Sequence, residues 1–237
     1  MQPLSEQRVL IFVPEFNTEG KKDVTGAFLP EAQKFGALAK EHRIYQFDNS
    51  KGMAKRRAEV LEELRNQGLS NSKERRMTAT SVAFFCHGWA SGIQAGFDNK
   101  HVPELADALA NCCGYENEEI VVPLYCCSTG DDKNDMSWEA AGSGENSFAD
   151  RLRDALCDLG RTECRVMAHV NPGHTNQNPY ALFMDGMGST VGGAGGYAVV
   201  APKSPLWMQW KKALRTTDLR HRFPYMTVAE IHAELAK

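Results

Sequence analysis

The sequence has no apolar run approaching the ~18 residues that would cross a bilayer. Its first residues, Met1–Gln7, lack the basic-then-apolar layout of a secretion signal. There is no excess charge of one sign, with 27 Lys+Arg against 30 Asp+Glu and a formal net charge of -3, so the basic surplus of a dedicated nucleic-acid binder is missing. No C-x-x-C spacing occurs among the cysteines, which excludes a locally written zinc ribbon or thioredoxin site. No phosphate-binding G-x-x-x-x-G-K-[ST] is present. The stretch Gly193–Ala198 fits G-x-G-x-x-A but opens into the apolar YAVV rather than a helix, so the dinucleotide reading fails. A chain needing neither membrane nor nucleic acid is expected.

The 237 residues include 42% hydrophobic ones, enough for a large core without a disulfide or metal staple. Seven cysteines are present: Cys86, Cys112, Cys113, Cys126, Cys127, Cys157 and Cys164. Their odd number and two adjacent pairs point to thiols in a reducing, cytoplasmic compartment.

Apolar runs alternate with amphipathic stretches. Strands are expected at Val9–Phe16, His42–Phe47, Ser81–Cys86, Ile120–Cys126 and Arg165–Val170, with a further one at Tyr197–Val200. Helical spacing falls at Phe28–Lys40, Met53–Asn66 (stopped by Gly68), Pro103–Cys112, Ser147–Leu159, Leu206–Leu214 and Val228–Leu235. This alternation implies a single α/β domain over residues 1–237, a mainly parallel twisted sheet with helices on both faces. Two long loops are expected, Ser128–Asn146 and Asn171–Gly196, in the positions where function usually sits.

Two apolar strands end in reactive residues. SVAFFC runs into His87-Gly88, and IVVPLY runs into Cys126-Cys127-Ser128-Thr129-Gly130. Ligands in open α/β sheets bind beyond the carboxyl ends of the strands. One crossover between neighbouring parallel strands brings His87 and Cys127 to a common rim, where an imidazole can assist a thiol whose free pKa is ~8.5. The bland alternative is that these cysteines only fill the core.

These segments resemble the caspase-like (clan CD) cysteine peptidases, metacaspase-type and bacterial members above all. Phe84–Gly88 (FFCHG) is similar to the hydrophobic strand ending in His-Gly, and Tyr125–Gly130 (YCCSTG) to the block carrying the nucleophile. The resemblance implies a caspase-like fold, His87 and Cys127 as the catalytic dyad, and backbone N–H groups of Gly88 and Cys127 as the oxyanion hole. Ala168–Asn176 resembles the segment lining the first substrate pocket, which implies substrate contacts from Asn171, Pro172, Gly173 and His174. Metacaspases that cleave after Arg or Lys carry an Asp just before the Cys motif, where this chain has Tyr125 and Cys126, so basic specificity does not carry over.

Asp131, Asp132 and Asp135 follow the cysteine and could line an acidic pocket or hold calcium, but the ligand spacing of a hard-cation loop is absent, so no cofactor is expected. The expected partner is a peptide or protein substrate; nothing in the sequence sets an oligomeric state. Alternatives are a metal-dependent amidase built on His169 and His174 with Asp185, and an inactive caspase-like interaction module. An α/β-hydrolase reading of FCHGWASG lacks the G-x-S-x-G elbow it requires.

Overall fold

The computed structural model describes residues 1–18, 21–22, 27–74, 79–113, 119–131, 144–172, 178–188 and 195–237. In chain order the elements are β1 (Arg8–Pro14), β2 (Phe16–Thr18), β3 (Lys21–Lys22), α1 (Leu29–Ala37), β4 (Glu41–Phe47), α2 (Met53–Glu74), β5 (Ser81–Phe85), β6 (Gly88–Trp89), β7 (Gly92–Ile93), β8 (Phe97–Asp98), α3 (Val102–Cys112), β9 (Ile120–Tyr125), α4 (Phe148–Asp158), β10 (Cys164–His169), β11 (Ala181–Asp185), β12 (Gly195–Ala198), α5 (Trp207–Thr216), α6 (Leu219–Arg222) and α7 (Val228–Leu235). The main sheet has the order β12-β11-β10-β9-β5-β1-β4. Strands β4, β1, β5, β9 and β10 are parallel; β11 and β12 extend the sheet antiparallel. The expected α/β class, a mainly parallel sheet flanked by helices, is what the chain forms.

The central strands β5 and β9 are buried along their whole length, which is why they read as continuous apolar runs rather than alternating ones. Alternate side chains feed two cores. Val82, Phe84, Val122 and Leu124 pack beneath α2, α3 and α4. Ala83, Phe85, Val121 and Tyr125 pack against α1 and the C-terminal helices. The chain leaves β1 through α1 on the second face and returns through α2, α3 and α4 on the first. Movement in opposite directions along the sheet thus uses opposite faces, as crossovers of one hand require. The reversal makes β1 and β5 the switch point of the sheet, the position beyond whose carboxyl ends open α/β sheets generally bind ligands.

Two expectations need correction. Helix α2 does not stop at Gly68 but runs on to Glu74. A glycine inside a helix costs about 1 kcal/mol relative to Ala and ends it only where the backbone turns left-handed, so the 22-residue ladder passes through. The segment Asn171–Gly196 is not one loop, because Ala181–Asp185 forms β11, five residues buried on both faces without alternation and paired antiparallel to β10. A run that short carries no periodicity by which sequence can tell strand from loop.

The pairing of β10 with β11 juxtaposes Arg165 and Asp185. Arg165 is 1% exposed and Asp185 0%, and the guanidinium donates to both carboxylate oxygens at 2.6 and 2.9 Å. Its remaining donors reach the Met226 carbonyl at 2.7 Å and the Tyr197 hydroxyl at 3.1 Å, while its carbon lies 3.9 Å from the Phe183 ring centre. The C-terminal segment is thereby tied to the sheet. Among the described residues no helix is long and apolar enough to cross a membrane.

Candidate active site

Strands β5 and β9 pair with a constant offset of 40 residues: Ser81 with Val121, Phe84 with Leu124, and Phe85 with Tyr125. His87 and Cys127 each follow the last pair by two residues, so they leave the sheet side by side at its carboxyl rim. Immediately before them, the Cys86 and Cys126 sulfurs lie 3.5 Å apart in the core, and the Phe85 and Tyr125 rings stack at 4.3 Å on the opposite face. The two strand ends are therefore clamped from both sides.

The rim itself is defined by contacts of Gly88. A Cβ on Gly88 would lie 2.7 Å from the Cys126 Cβ, 2.7 Å from the Cys127 carbonyl oxygen and 2.9 Å from the Thr129 methyl. Only glycine admits so close an approach of the two segments. The Cys127–Gly130 turn is pinned in place: Gly130 N–H donates to the His169 carbonyl at 2.9 Å, and Ala149 N–H, in the first turn of α4, donates to the Thr129 carbonyl at 3.0 Å. Thr129 also donates through its hydroxyl to the Cys126 carbonyl at 3.2 Å. Ser128 takes the left-handed conformation with φ 57°, an arrangement a non-glycine residue keeps only when its surroundings impose it.

His87 is held by residues that sequence reasoning missed. Its backbone N–H donates to the Gln94 side-chain oxygen at 3.2 Å, and Gln94 N–H donates back to the His87 carbonyl at 2.8 Å. Gln94 sits in the β6–β8 meander, which is fixed to α2 by Arg56 donating to the Gln94 carbonyl at 3.1 Å and Arg57 donating to the Gly96 carbonyl at 3.2 Å. The imidazole meets the Phe28 ring edge-on at 4.9 Å, so the residue just before α1 packs against it at the rim. The glycines Gly92 and Gly96 were the available signal for a tight meander after His-Gly.

Cys126 and Cys127 differ sharply. Cys126 is 1% exposed, and burial, followed by its hydrogen bond with Cys86, pushes its thiol well above the ordinary range. Cys127 is partly exposed on the turn. The accessible sulfur is the one the sequence motif selects.

Of the substrate-binding candidates, Asn171 and Pro172 lie just beyond β10 on the same rim, Asn171 half-buried and Pro172 exposed. The Asn171 carbonyl accepts from the Asn178 side chain at 3.0 Å, and its own Oδ1 is buried with no hydrogen-bond partner among the described residues. Asp131 closes the Cys127–Gly130 turn, its N–H donating to the Ser128 carbonyl at 3.0 Å. Gly173, His174, Asp132 and Asp135 lie outside the described residues.

The metal alternative fares differently. His169 pairs with Ala181 and Arg165 with Asp185, which puts His169 and Asp185 at opposite ends of the same strand pair. With Asp185 already committed to Arg165, the set of His169, His174 and Asp185 does not assemble. Among the described residues no group of three or more His, Cys, Asp or Glu side chains is placed to hold a metal. No family model, curated protein or solved structure matches the chain.

His169 has another consequence. It is 3% exposed; its Nδ1 donates to the Tyr180 carbonyl at 3.2 Å, and its Nε2 has no partner among the described residues. Burial lowers its pKa from 6.5 to about 4. The folded protein keeps the imidazole neutral while the unfolded chain protonates it near its ordinary value. Stability contributed by the neutral ring is thus complete above about pH 6.5 and is lost as pH falls from there towards 4, by about 3 kcal/mol. Urea titrations across pH 4–7 are expected to show this slope in the wild type and a shallower one in His169→Gln. Equal slopes would refute the assignment.

Proposed function

We propose that this protein is a caspase-like cysteine peptidase in which Cys127 and His87 form the catalytic dyad. One observation supports the reading: the uniform 40-residue register between β5 and β9, by which a partly exposed cysteine and an exposed histidine follow adjacent strand ends at one rim of the sheet. The Cys127 sulfur attacks the carbonyl carbon of the scissile amide, and the resulting oxyanion is received by the backbone N–H groups of Gly88 and Cys127. Collapse gives a thioester and an amine that leaves with a proton from His87. Water, deprotonated by the same imidazole, then hydrolyses the thioester and returns the thiol.

The substrate is a peptide or protein segment that reaches this rim in extended form, with its side chain facing the stretch that Asn171 and Pro172 begin. No metal or other cofactor takes part. The abundance of thiols fits a cytoplasmic, reducing setting, since all seven cysteines are unbridged.

A peptide-library digest read by mass spectrometry tests the reading. The wild type is expected to cleave a subset of peptides with or without chelator, and Cys127→Ala none of them. Cleavage surviving in Cys127→Ala but lost with chelator would replace the thiol mechanism by a metal-dependent one. A wild type that binds peptides and turns none over would make the chain an interaction module.

A further inference from the structure

At the other end of the sheet from the dyad lies a second pair of sulfurs. Cys157 sits in the last turn of α4 and Cys164 is the first residue of β10, joined by a tight turn in which Gly160 takes φ +80° and Gly160 N–H donates to the Cys157 carbonyl at 2.9 Å. Their Sγ atoms are 3.9 Å apart. Cys164 pairs with Ile120, the residue that opens β9, whereas Cys127 follows the residue that closes it.

We propose that Cys157 and Cys164 form a hydroperoxide-sensitive thiol pair that closes into a reversible intramolecular disulfide. The two sulfurs are unequal in the way such chemistry requires. Cys157 is partly exposed at the helix end, while Cys164 is 2% exposed and contacts the Arg153 carbonyl at 3.9 Å. The hydrogen bond from Cys164 brings the Cys157 thiol down to about 6, against the effect of its own partial burial, and Arg153 adds to the lowering. Cys164 moves the opposite way, its proton held by that bond and by burial. The two shifts run in opposite directions, favouring the thiolate on the more exposed Cys157 sulfur over the buried Cys164 one.

The chemistry balances without a metal or cofactor. The Cys157 thiolate attacks one oxygen of hydrogen peroxide, the O–O bond breaks, and Cys157 becomes a sulfenic acid as hydroxide leaves and takes up a proton. The Cys164 sulfur then attacks the sulfenic sulfur, the S–O bond breaks, and water leaves with the Cys164 proton. Two thiols are oxidised, one peroxide is reduced, and two waters form. Closure needs the sulfurs to approach from 3.9 Å to about 2.05 Å, and Cys157 stands at the end of α4, where Asp158, Leu159 and Gly160 after it are exposed. The Cys86–Cys126 pair is closer at 3.5 Å, yet both sulfurs are sealed at 1% exposure, and the Cys126 thiol is pushed upward. It serves as the internal control.

The test treats the full-length protein with hydrogen peroxide, alkylates remaining thiols and maps the peptides without reduction. A Cys157–Cys164 linked peptide lighter by two hydrogens, removed by dithiothreitol, is expected before Cys86 or Cys126 is touched. In Cys164→Ser, dimedone should capture a sulfenic acid at Cys157; in Cys157→Ser, Cys164 should stay a thiol. Cys157 ending as a sulfinic acid beside an intact Cys164 thiol, or staying reduced while Cys86 and Cys126 link, would overturn the proposal. Neither result depends on whether the protein cleaves peptides.

Discussion

His87→Ala is expected to lower kcat/KM for a cleaved peptide by about 10²–10⁴-fold, the range for loss of a general acid-base group. The thermal midpoint should move little, because the imidazole is exposed, its ring contact with Phe28 is a single edge-on one, and the backbone bonds with Gln94 are kept. Cys126→Ala is the matched control. It removes a buried sulfur touching Cys86 and the Phe84 carbonyl, so it costs about 1 kcal/mol of stability while turnover persists. Stopped turnover in Cys126→Ala, with Cys127→Ala still active, would reverse the assignment of the nucleophile. Unchanged turnover in His87→Ala would remove the imidazole from the mechanism.

Arg165→Met carries the largest expected loss of stability. It leaves the Asp185 carboxylate, 0% exposed, without its bidentate partner. Breaking a buried pair from one side costs about 3–5 kcal/mol, a large part of the 5–15 kcal/mol that holds a typical domain together. The double substitution Arg165→Met with Asp185→Leu removes both charges and should recover a good part of that loss, since the desolvation penalty disappears with the ions. Denaturant melts of the two variants decide the matter. A double variant no more stable than Arg165→Met would mean that the hydrogen bonds to Met226 and Tyr197, rather than the charge pair, anchor the C-terminal segment.

The two substitutions act at different ends of the sheet. The carboxyl rim of β5 and β9 carries reactive groups on tight turns, whereas the far end of β10 and β11 is occupied by a satisfied charge pair. Asp185 therefore looks like a ligand only when the sequence is read without its partner strand. Gln94 is the converse case: unremarkable in sequence, it holds both backbone groups of His87 through its side chain and its own N–H.

The alternation of the main strands and helices, the parallel core and the nomination of His87 and Cys127 were readable from the chain alone; β11, the β6–β8 meander and α6 were not. Each of the readable features rests on local signals: apolar runs of strand length, helical spacing, and a His and a Cys directly after buried strands. Packing alone decided which strands are neighbours, that Ala181–Asp185 pairs with β10, and that Cys126 is sealed while Cys127 is open. The same holds for Arg165 finding Asp185 and Cys157 finding Cys164. Such facts depend on register between segments 7 to 72 residues apart. Hydrophobic periodicity reports which face of an element is buried but not what it is buried against, and that second quantity sets whether a thiol, a carboxylate or an imidazole is reactive, paired or inert.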